Sequence, residues 1–188
     1  VDFAEESGLL NFLEHDANRS LVDYVYGVEA GLDSNARKNR SGSTMERILN
    51  RNIIKASKRF EIEHQSQATA DFIEENWGIK IQVDKAARRF DEAIYCKANN
   101  SLWLIETNYY GGGGSKLKAT AGEFITLNEL ISEPRNNINF VWVTDGQGWH
   151  TARLPLLEAF GHIKYVFNLK MLKDGYLEEL FKGRIFNR

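Results

Sequence analysis

The chain has a single cysteine, Cys96, and only two prolines, Pro134 and Pro155. One cysteine makes neither an intrachain disulfide nor a cysteine-based zinc site; lying in an expected strand, Cys96 reads as a small buried hydrophobe. The two prolines mark boundaries between elements. No apolar run is long enough to cross a bilayer, so no membrane association and a cytoplasmic location are expected. No signal peptide is visible, and since the chain begins at Val1 the N-terminus is expected to be truncated or processed. A strong charge bias is missing too: 24 Lys and Arg against 26 Asp and Glu leave a formal net charge of -2. A nucleic acid would therefore be held by a local basic surface and not by the global field. Three clusters could form one, Arg37-Lys38-Asn39-Arg40, Lys55 to Arg59 and Lys85 to Arg89, each of which also reads as a solvated surface run.

What is present suits one domain over 1–188, with an ordinary composition of 43% hydrophobic and 27% charged residues. The N-terminal part, about 1–77, reads as helical. Apolar residues recur at helical spacing over 2–15 and 19–30. A polar loop follows from Asp33 to Gly42, and Ser43-Thr44-Met45-Glu46 forms a capping box that opens a helix to about Ala56. A further helix is expected from Gln67 to Asn76, stopped by Gly78. From about 78 to 188 the character changes. Strands are expected at Ile79 to Val83, Phe90 to Lys97, Leu102 to Thr107, Phe140 to Val143 and Ile163 to Phe167. Helices are expected at about Lys116 to Ile131, Leu154 to Phe160 and Tyr176 to Phe181. A strand–helix–strand order implies a parallel crossover, so the class is α/β: a mixed central β-sheet flanked by helices.

The Phe90 and Leu102 strands read as a hairpin turning at Ala98-Asn99-Asn100. Centred on Asn99-Asn100, it sets Asp91 opposite Asn108 and puts Glu106 two residues along on the same face. Two neighbouring carboxylates repel unless a cation lies between them, and hard oxygen ligands suit Mg²⁺, which can acidify a water and stabilise charge on a phosphate. The competing reading pairs Asp91 and Glu106 with arginines such as Arg88 or Arg89. Asn108 stands where a lysine would help to orient an attacking water; it can hydrogen-bond that water but brings no charge. Lys116 or Lys118 could supply the charge, or both could bind backbone phosphates.

Gly111-Gly112-Gly113-Gly114-Ser115-Lys116 comes next. The backbone N–H groups of Gly112 and Gly113, with Ser115 at a helix start, suit an anion such as a DNA phosphate. Gly-Gly-Gly-Gly-Ser is also the composition of a flexible tether, but its place between a strand and a helix speaks against that. On the upstream loop, Asn35, Arg37, Lys38, Asn39 and Arg40 carry the chemistries that read guanine and adenine edges, or that contact phosphates. The Asp145-Gly146 turn either supports the site or caps its strand.

These residues resemble the DpnII/MboI family of type II restriction endonucleases. The likeness rests on Arg89-Phe90-Asp91, on Ile105-Glu106-Thr107-Asn108-Tyr109-Tyr110 running into the glycines and Lys116-Leu117, and on Val141-Trp142-Val143-Thr144-Asp145-Gly146-Gln147-Gly148-Trp149. Gly31 to Gly42 and Met45-Glu46 add to it, so that it runs from about Val22 to about Leu172. The resemblance implies a restriction-endonuclease-like PD-(D/E)xK core with Asp91 and Glu106 as metal ligands and Asn108 at the lysine position. Glu46 resembles a helix carboxylate placed near the metal, with capping as its competing role. Also implied are Mg²⁺, double-stranded DNA, cleavage at GATC in a restriction-modification system, a homodimer matching the twofold site, sensitivity to adenine methylation, and a missing N-terminal part. Two other readings stay open: a structure-specific repair or junction-resolving nuclease on the same core, and a non-catalytic DNA-binding module.

Overall fold

The computed structural model describes residues 44–131 and 137–182. The chain divides into Val1–Ser43 and Thr44–Arg188, and all described residues belong to the second unit. The helices expected over 2–15 and 19–30, the polar loop and the Ser43 cap lie outside the described residues. Within them, helix α1 spans 44–57. It is followed by β1 (Ile62–Thr69), α2 (Ala70–Trp77), β2 (Arg89–Cys96), β3 (Ser101–Tyr109), α3 (Ser115–Ile131) and β4 (Ile138–Asp145). A 3-10 turn (Gln147–His150), α4 (Arg153–His162), β5 (Tyr165–Phe167), α5 (Leu169–Lys173) and α6 (Tyr176–Phe181) complete the order. The strands form one five-stranded sheet in the order β1-β2-β3-β4-β5. The pairs β1–β2 and β2–β3 are antiparallel, while β3–β4 and β4–β5 are parallel. The α/β class with a mixed sheet flanked by helices is borne out.

Strand β3 is central, and its residues Ser101 to Glu106 are all buried. A strand covered on both faces reads as a continuous apolar run, as Leu102-Trp103-Leu104-Ile105 does. On one face, Leu117, Ala121, Phe124 and Leu127 of α3 pack over Leu104, Phe140 and Trp142. On the other, Met45, Leu49 and Ile53 of α1 share a cluster with Ile94, Ile105, Val141 and Val143. Cys96 is a buried free thiol in β2, as expected.

Three expectations need correction. Strand β1 occupies a segment read partly as helix. Its residues are mostly polar, only Ala68 is buried, and it lies at the sheet edge, so no apolar alternation announces it. The helix begins at Ala70, where the Thr69 side chain accepts a hydrogen bond from the Phe72 N–H, and ends at Gly78 in the left-handed conformation (φ 68°). Ile79 to Val83 is not a strand. Its apolar residues pack onto the α3-side core without pairing to the sheet. Finally, β2 pairs with β3 through Glu92–Ile105 and Cys96–Ser101, two residues from the expected pairing. The turn falls at 97–100 with Asn100 at φ 51°. An even slip keeps the alternation from Glu92 to Cys96 in step with β3, but at the Asp91 end the alternation of β2 breaks, with Phe90 and Ala93 on one face and Ile94 on the other.

The segment after β3 is tied to the turn after β4. The Tyr110 N–H donates to the Asp145 carbonyl (2.9 Å), and the Gly148 N–H donates to the Tyr110 carbonyl (2.8 Å). A Cβ on Gly148 would lie 2.3 Å from the Gly112 carbonyl oxygen, both partners being backbone. Gly148→Ala should therefore lower the thermal midpoint by an amount equivalent to roughly 1–3 kcal/mol. Gly122→Ala, on the open face of α3 with nothing within 4 Å of the added carbon, should raise it by about 0.5–1 kcal/mol. Calorimetry of the two variants checks the contrast; equal midpoints would remove the close-approach argument.

Candidate active site

The register brings Asp91 and Glu106 to one end of the β2–β3 hairpin. The β1–β2 ladder pairs Ser66 with Glu92 and Ala68 with Phe90, skipping Gln67 and Asp91 between them. Gln67 has φ 52°, a conformation uncommon outside glycine. Phe90 and Ala93 both pack on the α3 side while Ile94 packs on the α1 side, so the strand's alternation breaks around Asp91. Half-buried Asp91 accepts hydrogen bonds from the Thr107 N–H (2.8 Å), the Thr107 hydroxyl (2.9 Å) and Gln67 Nε2 (3.3 Å). These donors hold its carboxylate in one orientation.

Glu106 is only 7% exposed. Its carboxyl is pushed up to about 8, first by burial and then by the negative charge of Asp91, against the opposing pull of Arg88. Arg88 Nη1 lies 3.3 Å from Glu106 Oε1. The same guanidinium makes two bonds to Asp84 (2.6 and 2.8 Å) and one to Glu123 on α3 (2.7 Å). Hydrogen bonding to Arg88 holds the Asp84 and Glu123 carboxyls below their ordinary range. The ion-pair reading thus holds for Glu106 with Arg88, while Asp91 pairs with neither Arg88 nor Arg89 among the described residues. Arg88 is shared three ways, so it does not neutralise Glu106, and a deficit of positive charge remains beside Asp91.

Glu46 projects from α1 into solvent, yet its carboxyl is raised by partial burial and by the charge of Asp91. It therefore lies within electrostatic reach of Asp91. Among the described residues, no three His, Cys, Asp or Glu side chains converge as a metal cage. The donors at hand are the two carboxylates, and Mg²⁺ commonly binds through one or two carboxylates and keeps its waters. A buried carboxylate whose ionisation is opposed, next to a second one, fits such an ion. Asn108 is half-buried on the Glu106 face of β3 and takes a short hydrogen bond on Oδ1 from the Trp142 indole N–H.

Residues 111–116 are exposed. Helix α3 begins at Ser115, and Lys116 and Lys118 are exposed with no ion pair to another described residue. The loop is packed, unlike a tether: a Cβ on Gly113 would meet the Thr151 side chain, and Gly112 lies against Gly148. Asp145 accepts from the Gly146 N–H (2.7 Å) and from the Leu169 N–H (3.0 Å), linking β4 to α5 in a structural role. Asn35, Arg37, Lys38, Asn39 and Arg40 lie outside the described residues. Two of the basic clusters are largely consumed internally. Lys55 and Arg59 pair with Glu178, and Lys85 joins Arg88 at Asp84 and Glu123. Arg47 and Arg51, exposed one turn apart on α1, were not singled out by sequence, though their four-residue spacing was readable. Glu123, Gln67 and Trp142 carry no signal of their own, since each reaches the site through tertiary pairing. Glu92, next to Asp91, is 2% exposed and is held on the α1 side, accepting from Asn50 of α1 (2.8 Å) and Ser66 of β1 (2.5 Å).

The family model described as "DpnII restriction endonuclease" matches residues 1–179. The type II restriction enzyme LlaDCHI of Lactococcus lactis subsp. cremoris is 61% identical over 98% of this chain and 61% of its own length. MjaIII of Methanocaldococcus jannaschii, also a type II restriction enzyme, is 49% identical over 95% of this chain and 62% of its own length. DpnII of Streptococcus pneumoniae is 35% identical over 95% of this chain and 62% of its own length. The chain spans about three-fifths of the length of these curated relatives. With a whole-chain family match and the hairpin and glycine-loop strings in place, the chain belongs to the DpnII restriction endonuclease family.

Proposed function

We propose that this chain forms the catalytic part of a Mg²⁺-dependent endonuclease of a restriction-modification system, hydrolysing phosphodiester bonds of double-stranded DNA at GATC as a homodimer on a PD-(D/E)xK core. The observation that carries the reading is Glu106, buried beside Asp91 with its carboxyl pushed up to about 8, in a member of a restriction endonuclease family. Asp91 and Glu106 would hold the ion. When bound, Mg²⁺ supplies Lewis acidity, making a water acidic and offsetting charge on the phosphate. Glu46 offers an acceptor for the water's proton within electrostatic reach of Asp91. Asn108 offers an uncharged hydrogen-bond donor beside Glu106. Lys116, Lys118 and the N–H groups of Gly112, Gly113 and Ser115 suit the DNA backbone, as the Asn35 to Arg40 loop suits base edges or phosphates. GATC, the twofold assembly and adenine-methylation sensitivity rest on the family resemblance. A junction-resolving nuclease and a non-catalytic DNA-binding module share this fold and differ in product.

Incubation with plasmid DNA, with and without Mg²⁺, followed by mapping of the ends separates the three. Cleavage confined to one short sequence and lost without the ion is expected. Asp91→Asn and Glu106→Gln should each slow it by about 10³-fold or more. Full activity in either variant would sink the metal-site assignment.

The raised carboxyl of Glu106 also sets a pH dependence. Below the ordinary glutamate range both folded and unfolded chains hold the proton, and stability is unaffected. As pH rises toward 8 the unfolded chain has released it while the folded one retains it, so metal-free stability falls; above 8 the loss levels off. Glu106→Gln should therefore raise the metal-free melting temperature increasingly from pH 5 to 8, at about 2–4 °C per kcal/mol regained. The Mg²⁺ concentration for half-maximal rate should fall over the same range in the wild type. Melting curves with the variant no more stable at pH 8 than at pH 5 would contradict the assignment.

Lys116→Ala and Lys118→Ala should weaken DNA binding at all sequences and reduce the salt dependence, the slope of log K against log salt, by about 1 each. Unchanged slopes in binding titrations would remove these lysines from the backbone contacts.

A further inference from the structure

The amide of Asn108 has two unlike ends, and which end meets the reacting groups decides what the residue can do. Its Oδ1 accepts, and its Nδ2 carries two donors. An indole N–H only donates, so the hydrogen bond from Trp142 Nε1 settles the matter chemically: the oxygen faces Trp142, and the amino group lies on the opposite branch of the planar amide.

Trp142 is not free to release that oxygen. It is fully buried, 0% exposed. Phe124 meets its ring edge-on at a centroid separation of 5.3 Å, and Trp149 does so at 5.5 Å. Trp149 is itself held by its indole N–H on the Thr144 hydroxyl (2.9 Å). The parallel pairing of β3 with β4 sets Glu106 beside Trp142 and Asn108 beside Thr144, which brings the indole within reach of the amide on the same face.

We infer that Trp142 is a positioning residue that turns Asn108 into a hydrogen-bond donor toward the attacking water or the scissile phosphate. A lysine ammonium is a donor only; an unrestrained asparagine is not, and half of its orientations would set a carbonyl oxygen against carboxylates and phosphate. With its oxygen claimed by Trp142, Asn108 reproduces the donor half of the lysine's role without the charge. This inference rests on the nuclease reading.

A double-mutant cycle on single-turnover cleavage tests it. Trp142→Phe keeps most of the ring and removes the N–H; it should slow cleavage by about 100-fold in the wild-type background. In an Asn108→Ala background it should slow cleavage no further. Asn108→Lys, which needs no oriented oxygen, should be more active with Trp142→Phe than with Trp142. An equal slowing by Trp142→Phe in both backgrounds would show that the ring merely supports the core and would overturn the inference. A second reading needs neither metal nor cleavage. In ¹H–¹⁵N spectra, the Trp142 indole resonance, assigned by backbone-linked experiments, should move upfield in Asn108→Ala; an unmoved resonance means no hydrogen bond and overturns the inference even if Trp142→Phe fails to fold. A wild type that cleaves nothing would defeat the nuclease reading, whereas the spectra would still decide the orientation of the amide.

Discussion

The arrangement depends on one costly placement: the carboxyl of Glu106 sits at the end of the fully buried run of β3, which is covered on both faces. An ionised carboxylate in such a place is strongly disfavoured unless positive charge is supplied. The strand that carries it runs Leu102-Trp103-Leu104-Ile105 immediately before, so the same packing that makes β3 the centre of the sheet starves Glu106 of water. Asp91 deepens the deficit and Arg88 relieves only part of it. On the proposed function, a compact divalent ion would supply the charge this geometry lacks.

Rigidity comes from the connection between two loops. The glycines after β3 and the glycines after β4 touch backbone to backbone, and Tyr110 bridges them through its own N–H and carbonyl. Large side chains are excluded at these contacts, which lets the start of α3 approach the end of β4 closely. The aromatic group of Tyr110, Trp149, Trp142 and Phe124 lies directly behind, each ring meeting the next edge-on. Exposed loop residues therefore stand on a buried aromatic footing.

Much of this is legible in the sequence where burial writes a pattern. The parallel β3–α3–β4 unit is readable from its two apolar runs and the apolar stripe between them. The sidedness of Glu106 and Asn108 is readable from alternation along β3, but that of Asp91 is not, because the alternation of β2 breaks there, with Phe90 and Ala93 on one face and Ile94 on the other. Strand β1 is not readable. Its edge position demands little apolar surface, and its one buried residue is Ala68. Ile79 to Val83 shows the converse: apolar alternation reflects packing on a core, and a segment can pack without pairing. The partners of the site residues stay hidden for another reason. Arg88 with Glu123, or Trp142 with Asn108, are far apart in sequence, and no local period encodes a contact made across strands and helices.

The three-way attachment of Arg88 bears on reversibility. A guanidinium paired with Glu106 alone would resist letting go, since release would strand its own charge in a half-buried place. Here Asp84 and Glu123 keep it charged and hydrogen-bonded whether or not Glu106 is engaged. On the proposed function, Glu106 would exchange Arg88 for the ion with little rearrangement around it, and Arg88 would serve as a returnable placeholder.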